Sequence, residues 1–127
     1  MDENEISREI VDAAFKIHQN LGPGLFESVY ETVLAYELER RGLKVSRQVA
    51  VALEYEGLVV ENAFRIDLLV DEKVVVELKV VDELAPVHRK QVLTYLRLRE
   101  LKLGLLVNFG VATFKDGVVR LVNGLQE

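Results

Sequence analysis

Several features that would narrow the class of this protein are missing from its sequence. The 127 residues include no cysteine, which excludes disulfide bonds and metal sites built on thiolates. No apolar run approaches the roughly 20 residues of a membrane-spanning helix. The acidic amino terminus does not have the pattern of a secretory signal peptide. From these absences we expect a cytoplasmic protein that has no membrane partner.

An excess of positive charge is also missing. The formal net charge is −5, which argues against a protein held on nucleic acid by its overall charge. The charge is unevenly distributed, however, since residues 85–110 contain five bases and one acid. Either a solvated helix face or a surface that faces phosphates would explain this stretch. The five bases are Arg89, Lys90, Arg97, Arg99 and Lys102.

The stretch around which the chain is organised covers residues 65–80. Two β-prone runs flank the polar tripeptide at 71–73, which predicts a hairpin with a three-residue loop. Counting back from that loop places Asp67 opposite Glu77, with Cβ atoms roughly 4.5–5.5 Å apart. Like charges directly opposite are destabilising, and a divalent cation that takes carboxylate oxygens would neutralise them. A surface hairpin with one polar face is the alternative.

The composition of the second strand favours the cation. Residues 74–81 are largely apolar on both faces, as in a central strand, and Glu77 and Lys79 share one face. Asp67 followed by Glu77-Leu78-Lys79 resembles the core motif of the PD-(D/E)XK nuclease superfamily. In that motif an aspartate lies on one strand and Glu-x-Lys lies on the next.

Helical periodicity predicts two helices before this hairpin, at 5–21 and 25–41. Glu27 falls beside the buried stripe predicted for the second helix. It is either a first-turn glutamate favoured by the helix dipole or a third carboxylate aimed at the sheet. The predicted stripe consists of Val29, Tyr30, Val33, Leu34 and Leu38.

Residues 24–30 carry a second resemblance. They fit the signature Gly-x-x-Glu-x-x-Tyr, after which a family of small bacterial and archaeal PD-(D/E)XK-like proteins is named. This resemblance runs from about residue 6 to residue 123. It implies that Glu27 is an additional metal-site or orienting group.

A third helix is predicted at 86–101, where His88, Gln91 and Tyr95 share one face. Such residues are usually structural. Gln-x-x-x-Tyr nevertheless resembles a pattern that follows the Glu-x-Lys strand in many PD-(D/E)XK nucleases, whereas His88 matches the smaller family only.

The remaining elements complete the predicted fold as one domain spanning residues 1–127. A three-strand meander, a helical crossover and a further strand predict an α/β (α+β) protein with a mixed central sheet flanked by helices. This order resembles the restriction-endonuclease-like αβββαβ core of the superfamily. The other predicted strands are 43–55, 58–70 and 103–108, followed by a hairpin at 113–122 around an Asp-Gly turn.

The resemblance implies a metal-dependent nuclease that hydrolyses phosphodiester bonds, with DNA as substrate in preference to RNA and with Mg²⁺ or Mn²⁺ as cofactor. The implied catalytic residues are Asp67, Glu77, Lys79 and Gln91. The implied metal ligands are Glu27, Asp67, Glu77 and the carbonyl of Leu78. The expected nucleic-acid contacts are Arg89, Lys90, Tyr95, Arg97 and Arg99. The alternative is a catalytically inert module of nuclease fold that binds nucleic acid or a protein, and a second copy of the chain is a further candidate partner.

Overall fold

A computed structural model describes residues 1–126. The helices are α1 (Glu3–Leu21), α2 (Glu27–Arg40) and α3 (Pro86–Arg99), and a short 3₁₀ helix covers Phe114–Gly117. The strands are β1 (Val45–Tyr55), β2 (Leu58–Val70), β3 (Val74–Lys79), β4 (Leu103–Asn108) and β5 (Val118–Val122). No helix within residues 1–126 is long and apolar enough to cross a membrane.

The sheet is mixed, as predicted. Its strands lie in the order β1-β2-β3-β4-β5, and only β3 and β4 run parallel. The parallel pair is joined through α3, which packs on one face of the sheet, while α1 and α2 pack on the other. α3 approaches β4 closely because Gly104 has no side chain; a Cβ there would lie 2.6 Å from a methyl carbon of Val92.

Local capping fixes the ends of α1. The Asp2 carboxylate accepts a hydrogen bond from the Glu5 N–H (2.8 Å), and the Glu5 carboxylate accepts one from the Asp2 N–H (3.0 Å). This capping box starts the helix two residues earlier than periodicity alone predicts. Gly22, at φ 72°, ends it as predicted.

The central hairpin has the predicted three-residue loop. Val70 pairs with Val74, and Asp71 and Glu72 take positive φ angles. The β2–β3 ladder is short, however, and its last pair is Leu68 with Val76. The two strands therefore stop pairing one step before the position expected for Asp67 and Glu77.

The predicted terminal hairpin is wrong. Residues 114–117 form the 3₁₀ helix, and β5 pairs antiparallel with β4 instead of with a preceding strand. Phe114 is buried and its ring packs near those of Phe109 and His18. A Cβ on Gly117 would lie 2.4 Å from the carbonyl oxygen of Asn108, so only glycine lets the backbone at 117 approach Asn108 this closely. Burial of Phe114 outweighs the turn signal of Asp116-Gly117.

One further boundary and one burial assignment differ from the predictions. β3 ends at Lys79 because the side-chain amide of Asn108 hydrogen-bonds the N–H and carbonyl of Val81, at 3.1 and 2.8 Å, where a ladder would continue. Val29 was predicted to be buried in α2, but it is partly exposed, and Glu31 is buried instead.

Candidate active site

Asp67 and Glu77 form hydrogen bonds between β2 and β3 at the point where the two strands stop pairing. The Asp67 N–H donates to Glu77 Oε1 (2.8 Å), and the Leu78 N–H donates to Asp67 Oδ2 (2.9 Å). Each side chain thus bonds the backbone of the opposite strand. Glu77 is only 5% exposed, and Asp67 is half-buried. The structure brings these two predicted residues together, between strands that no longer pair.

An irregularity in β1 and β2 turns Asp67 toward this gap. The register of the two strands skips Gln48 and Asp67, and Gln48 has a left-handed φ of 50°. Side chains two residues apart on a regular strand face the same side. Here Leu68 packs with α1 and α2 whereas Ile66 packs with α3. The alternation of β2 therefore breaks at Asp67.

Both carboxylates are held where ionisation is costly. Burial, and then the negative charge of Asp67, raises the pKa of Glu77 to about 8. Burial, and then the charge of Glu31, raises the pKa of Asp67, although the hydrogen bond from Leu78 opposes this. Within residues 1–126 neither carboxylate forms an ion pair. The two groups therefore resist ionising together, and no ion pair among the described residues offsets their charge when they do.

A cleft of about 360 Å³ opens beside Asp67. Leu78 lines it from β3, and Glu27 and Ser28 line it from the first turn of α2. The negative charge of Glu27 contributes to the raised pKa of both strand carboxylates. The structure therefore places this predicted third carboxylate at the same cleft, where it is exposed.

Tyr30 explains how the start of α2 is fixed. Its hydroxyl donates to the Gly22 carbonyl and accepts from the Leu25 N–H, and its buried ring stacks on Phe109 at 4.3 Å between centroids. These contacts hold the loop that leads into α2. Tyr30 is thus a structural residue that positions the helix turn carrying Glu27.

Lys79 ends β3, two residues after Glu77. It is half-buried, and its carbonyl accepts a hydrogen bond (2.9 Å) from the N–H of Phe109, the residue after β4. Its positive charge lowers the pKa of Glu77, which opposes the larger effect of burial. A cation therefore lies near enough to Glu77 to affect its ionisation, although within residues 1–126 the two form no ion pair.

Sequence reasoning missed a polar network that lines part of the cleft. Glu31 is buried and accepts two hydrogen bonds from Arg47, at 3.1 and 2.9 Å. The side-chain amide of Gln48 donates to Glu31 and, at 3.4 Å, to Asp67. Glu31 follows Glu27 by four residues, and this helical spacing was the available signal. The network connects α2 to the catalytic candidate Asp67.

We expect this network to stabilise the fold measurably. Arg47→Ala should lower the free energy of unfolding by about 1–3 kcal/mol, because the buried Glu31 carboxylate loses its charged donor. Adding Glu31→Gln should restore part of the loss. Lys44→Ala, which breaks the exposed pair with Glu72, is the matched control and should cost less than about 1 kcal/mol. Equal losses in the three variants on urea denaturation would contradict this role.

The residues of α3 are placed differently from the prediction. Tyr95 is 5% exposed, with its ring edge against Phe64 at 5.4 Å, so the ring has no free face for a nucleic acid. Its assignment as a nucleic-acid contact stays a prediction, which this burial does not favour. Burial and the charges of Glu77 and Asp67 raise the pKa of Tyr95 to about 12, which places the tyrosine near the carboxylates.

Within residues 1–126, no hydrogen bond joins the other two residues on that face of α3 to the carboxylate cluster. Gln91 is half-buried, one turn before Tyr95. His88 Nδ1 accepts a hydrogen bond from the Ala85 N–H (3.0 Å), which caps the start of α3.

The basic residues of α3 lie on its solvent side. Four of them are exposed along the helix: Arg89, Lys90, Arg97 and Arg99. Arg89 also lines a groove with Asp82, Glu83 and Asp116, so its surroundings are partly acidic. Their exposure leaves them free to contact a partner.

Comparison with known proteins identifies the family of the chain. The model of the PD-(D/E)XK nuclease superfamily matches residues 4–121. The chain belongs to this superfamily. The five-stranded mixed sheet with its three helices is consistent with the nuclease fold. No curated protein and no solved structure matches the chain.

Nucleases of this superfamily typically use divalent metal ions. Within residues 1–126 no three His, Cys, Asp or Glu side chains are gathered as a ready-made metal site. Mg²⁺ in enzymes is usually held by only one or two carboxylates, with water and substrate phosphate completing its shell. Asp67 lines the cleft and Glu77 hydrogen-bonds the Asp67 N–H, so two carboxyl groups that form no ion pair within residues 1–126 meet beside it. The donor set present therefore fits such an ion.

Proposed function

We propose that this protein is a nuclease that hydrolyses phosphodiester bonds of nucleic acid, DNA in preference to RNA, with Mg²⁺ or Mn²⁺ as cofactor. The observation that carries the proposal is the pair Asp67 and Glu77. These carboxyl groups are withdrawn from water and each bonds the backbone of the other's strand, with no ion-pair partner within residues 1–126. Asp67 lines the cleft, and the charge of Lys79 acts on Glu77.

Two groups of residues would hold the ion. Asp67, Glu77 and the Leu78 carbonyl would bind it from the strands, and Glu27 would reach it from α2. When bound, the ion would polarise the phosphate and make a water molecule more acidic. The network of Glu31, Arg47 and Gln48 would orient Asp67.

Lys79 would supply the positive charge that the reaction needs at the phosphate. A compact ammonium can hold the attacking water or stabilise the negative charge that develops on the phosphate oxygens. Gln91 would help to place water or substrate. The uncharged Tyr95 hydroxyl would lie near the carboxylates on the α3 side of the sheet. None of these roles requires the chain to form a covalent intermediate.

The proposal is tested by cleavage of single- and double-stranded DNA and RNA, with Mn²⁺ or Mg²⁺ and with chelator. Cleavage of DNA that chelator abolishes, and that Asp67→Ala lacks, supports it. Cleavage that survives chelator contradicts the metal mechanism. Metal binding without cleavage of any substrate in the panel favours the inert module.

The exposed bases of α3 are proposed as a phosphate-facing surface. Arg97→Glu with Arg99→Glu should weaken binding to nucleic acid and reduce the slope of log affinity against log salt by roughly 1–2, since about two phosphate contacts are lost. The control is Arg8→Glu with Lys115→Glu, which changes the net charge equally on another surface. An unchanged slope in the α3 variant, or an equal change in the control, would place the nucleic-acid surface elsewhere.

A further inference from the structure

A cavity of about 590 Å³ lies between α1 and the segment that contains the 3₁₀ helix and the start of β5. Its size falls within the range of roughly 300–1,000 Å³ that small-molecule sites occupy. α1 forms one wall, and Phe114, Lys115 and Val118 form the other. Among the described residues, none that lines this cavity also lines the cleft beside Asp67. The cavity, here called the α1 pocket, is therefore separate from the candidate active site.

The walls of the α1 pocket are mostly apolar and partly aromatic. Val11 and Val118 are half-buried, and Phe114 is buried. The Phe15 ring lies 6.1 Å from that of Phe114, at an angle of 59° between their planes, and Phe15 is 44% exposed. Phe15 thus keeps open ring surface at the pocket, and a flat aromatic group can pack against such a surface.

The Ser7 hydroxyl supplies an unused hydrogen-bonding group inside the α1 pocket. Ser7 is only 7% exposed, yet within residues 1–126 its hydroxyl takes part in no hydrogen bond. No completely buried polar side-chain atom among these residues lacks a partner, so the hydroxyl must keep its remaining exposure at the pocket that Ser7 lines. A nearly buried hydroxyl is costly when nothing satisfies it. It therefore marks a polar contact point for a bound molecule.

The charged groups at the α1 pocket leave an excess of unpaired positive charge. Arg8 and Lys115 are exposed, and within residues 1–126 neither forms an ion pair. The acid in the lining, Asp12, is paired with Arg41 at 2.9 Å. Because the two cations are unpaired and the acid is not, the complement of this pocket is an anion.

We propose that the α1 pocket binds a small organic anion with a flat aromatic body, an aromatic carboxylate or phosphate. The aromatic body packs against Phe15 and Val118. Arg8 and Lys115 hold the anionic group, and Ser7 donates a hydrogen bond to it. Arg8 and Phe15 are seven residues apart on α1, about 10.5 Å along the helix. A ligand of one or two fused rings bridges these positions, because the long Arg8 side chain can lie along the apolar wall.

Titration with anilinonaphthalenesulfonate, an aromatic anion whose fluorescence rises in apolar surroundings, tests the pocket. The wild type should bind it saturably, and Arg8→Glu with Lys115→Glu should weaken binding at least about tenfold, because attraction becomes repulsion. Phenylnaphthylamine, the uncharged analogue, should bind both proteins equally. Tyr55→Ala removes an exposed aromatic ring on β1 and should bind the anion as the wild type does. No saturable binding by the wild type, or equal weakening in the Tyr55 control, would overturn the proposal.

Displacement of this probe identifies the anionic group. Naphthoate and naphthyl phosphate carry the same rings and differ in their anion, whereas naphthalenemethanol carries no charge. At least one of the two anions should displace the probe at about tenfold lower concentration than naphthalenemethanol does. If neither anion competes better than the uncharged compound, the two cations do not recognise the ligand and the proposal is wrong.

Ser7→Ala separates a ligand contact from a structural hydroxyl. Because the hydroxyl has no partner within residues 1–126 and alanine favours a helix, the ligand-free variant should be at least as stable as wild type on urea denaturation. Its affinity for anilinonaphthalenesulfonate should nevertheless fall by roughly two- to tenfold, since one hydrogen bond is lost. Unchanged affinity, or a clear loss of stability without ligand, would overturn the assignment of Ser7 to the site.

Discussion

Replacing Lys79 with alanine is expected to lower phosphodiester cleavage by at least about 10²–10³-fold while the affinity for Mg²⁺ or Mn²⁺ stays the same or rises. Lys79 shares a strand face with Glu77 and lies two residues beyond it, about 6.6–6.8 Å along the strand. Its side chain can therefore reach a phosphate bound near the carboxylates. Because its charge opposes a bound cation, its removal should not weaken metal binding.

Substitutions of the proposed metal ligands distinguish a loss of catalysis from a loss of metal binding. Asp67→Ala and Glu77→Ala should lose cleavage and metal affinity together, whereas Lys115→Ala, a change of an exposed lysine elsewhere, should lose neither. Single-turnover cleavage rates and calorimetric metal titrations supply the two readouts. Activity of Lys79→Ala equal to wild type, or a loss of metal binding in that variant, would contradict the assigned role.

The second large effect is a loss of stability of the metal-free protein as pH rises from about 5 to 8. Glu77 has a pKa of about 8 in the folded chain and an ordinary value of 4.5 when exposed. Between these values the folded state holds a proton that the unfolded state has released, so each rise in pH favours unfolding. The loss of stability is absent below the pKa of the exposed group, 4.5, and reaches its full size above the pKa in the folded chain, about 8. Its size is on the order of a few kcal/mol, since each pKa unit corresponds to about 1.4 kcal/mol.

Glu77→Gln should remove most of this pH dependence and should be more stable than wild type at pH 8 without metal. Glu39→Gln, a change of an exposed glutamate on α2, should leave the wild-type slope intact. Mn²⁺ should stabilise the wild type more at pH 8 than at pH 5, because protons compete with the ion for the carboxylates. Denaturant titrations across this range measure each effect. Parallel pH curves for wild type and Glu77→Gln would show that Glu77 is not the group responsible.

Much of the fold was predictable because its signals are local. Alternation and turn chemistry gave β2 its observed bounds, Leu58–Val70, and placed Val70 opposite Val74. Helical periodicity gave α1, and Gly22 gave its end. These features depend on residues that are neighbours in sequence, so no tertiary information was needed.

The parts that could not be predicted depend on contacts between distant segments. The burial of Glu31 is satisfied by partners on β1, where Arg47 supplies a charged donor and Gln48 a further hydrogen bond. The ladder ends before Asp67 and Glu77 because their side chains bond the opposite backbone, which the count from the loop did not anticipate. Tyr95 resembled a substrate contact in sequence, but packing against Phe64 buries its ring. In each case tertiary contacts overrode a reasonable local interpretation.

The measurement that tests the account most directly is calorimetric titration of Mn²⁺ into wild type, Asp67→Asn and Glu77→Gln near pH 8. The facing carboxylates should bind the ion with millimolar or tighter affinity in the wild type and release protons as they do so. Both variants should bind at least about tenfold more weakly, and metal-free Asp67→Asn should be at least as stable as wild type because the repulsion is relieved. Equal binding by all three proteins, or a clear loss of metal-free stability in Asp67→Asn, would show that the pair is structural and not a metal site.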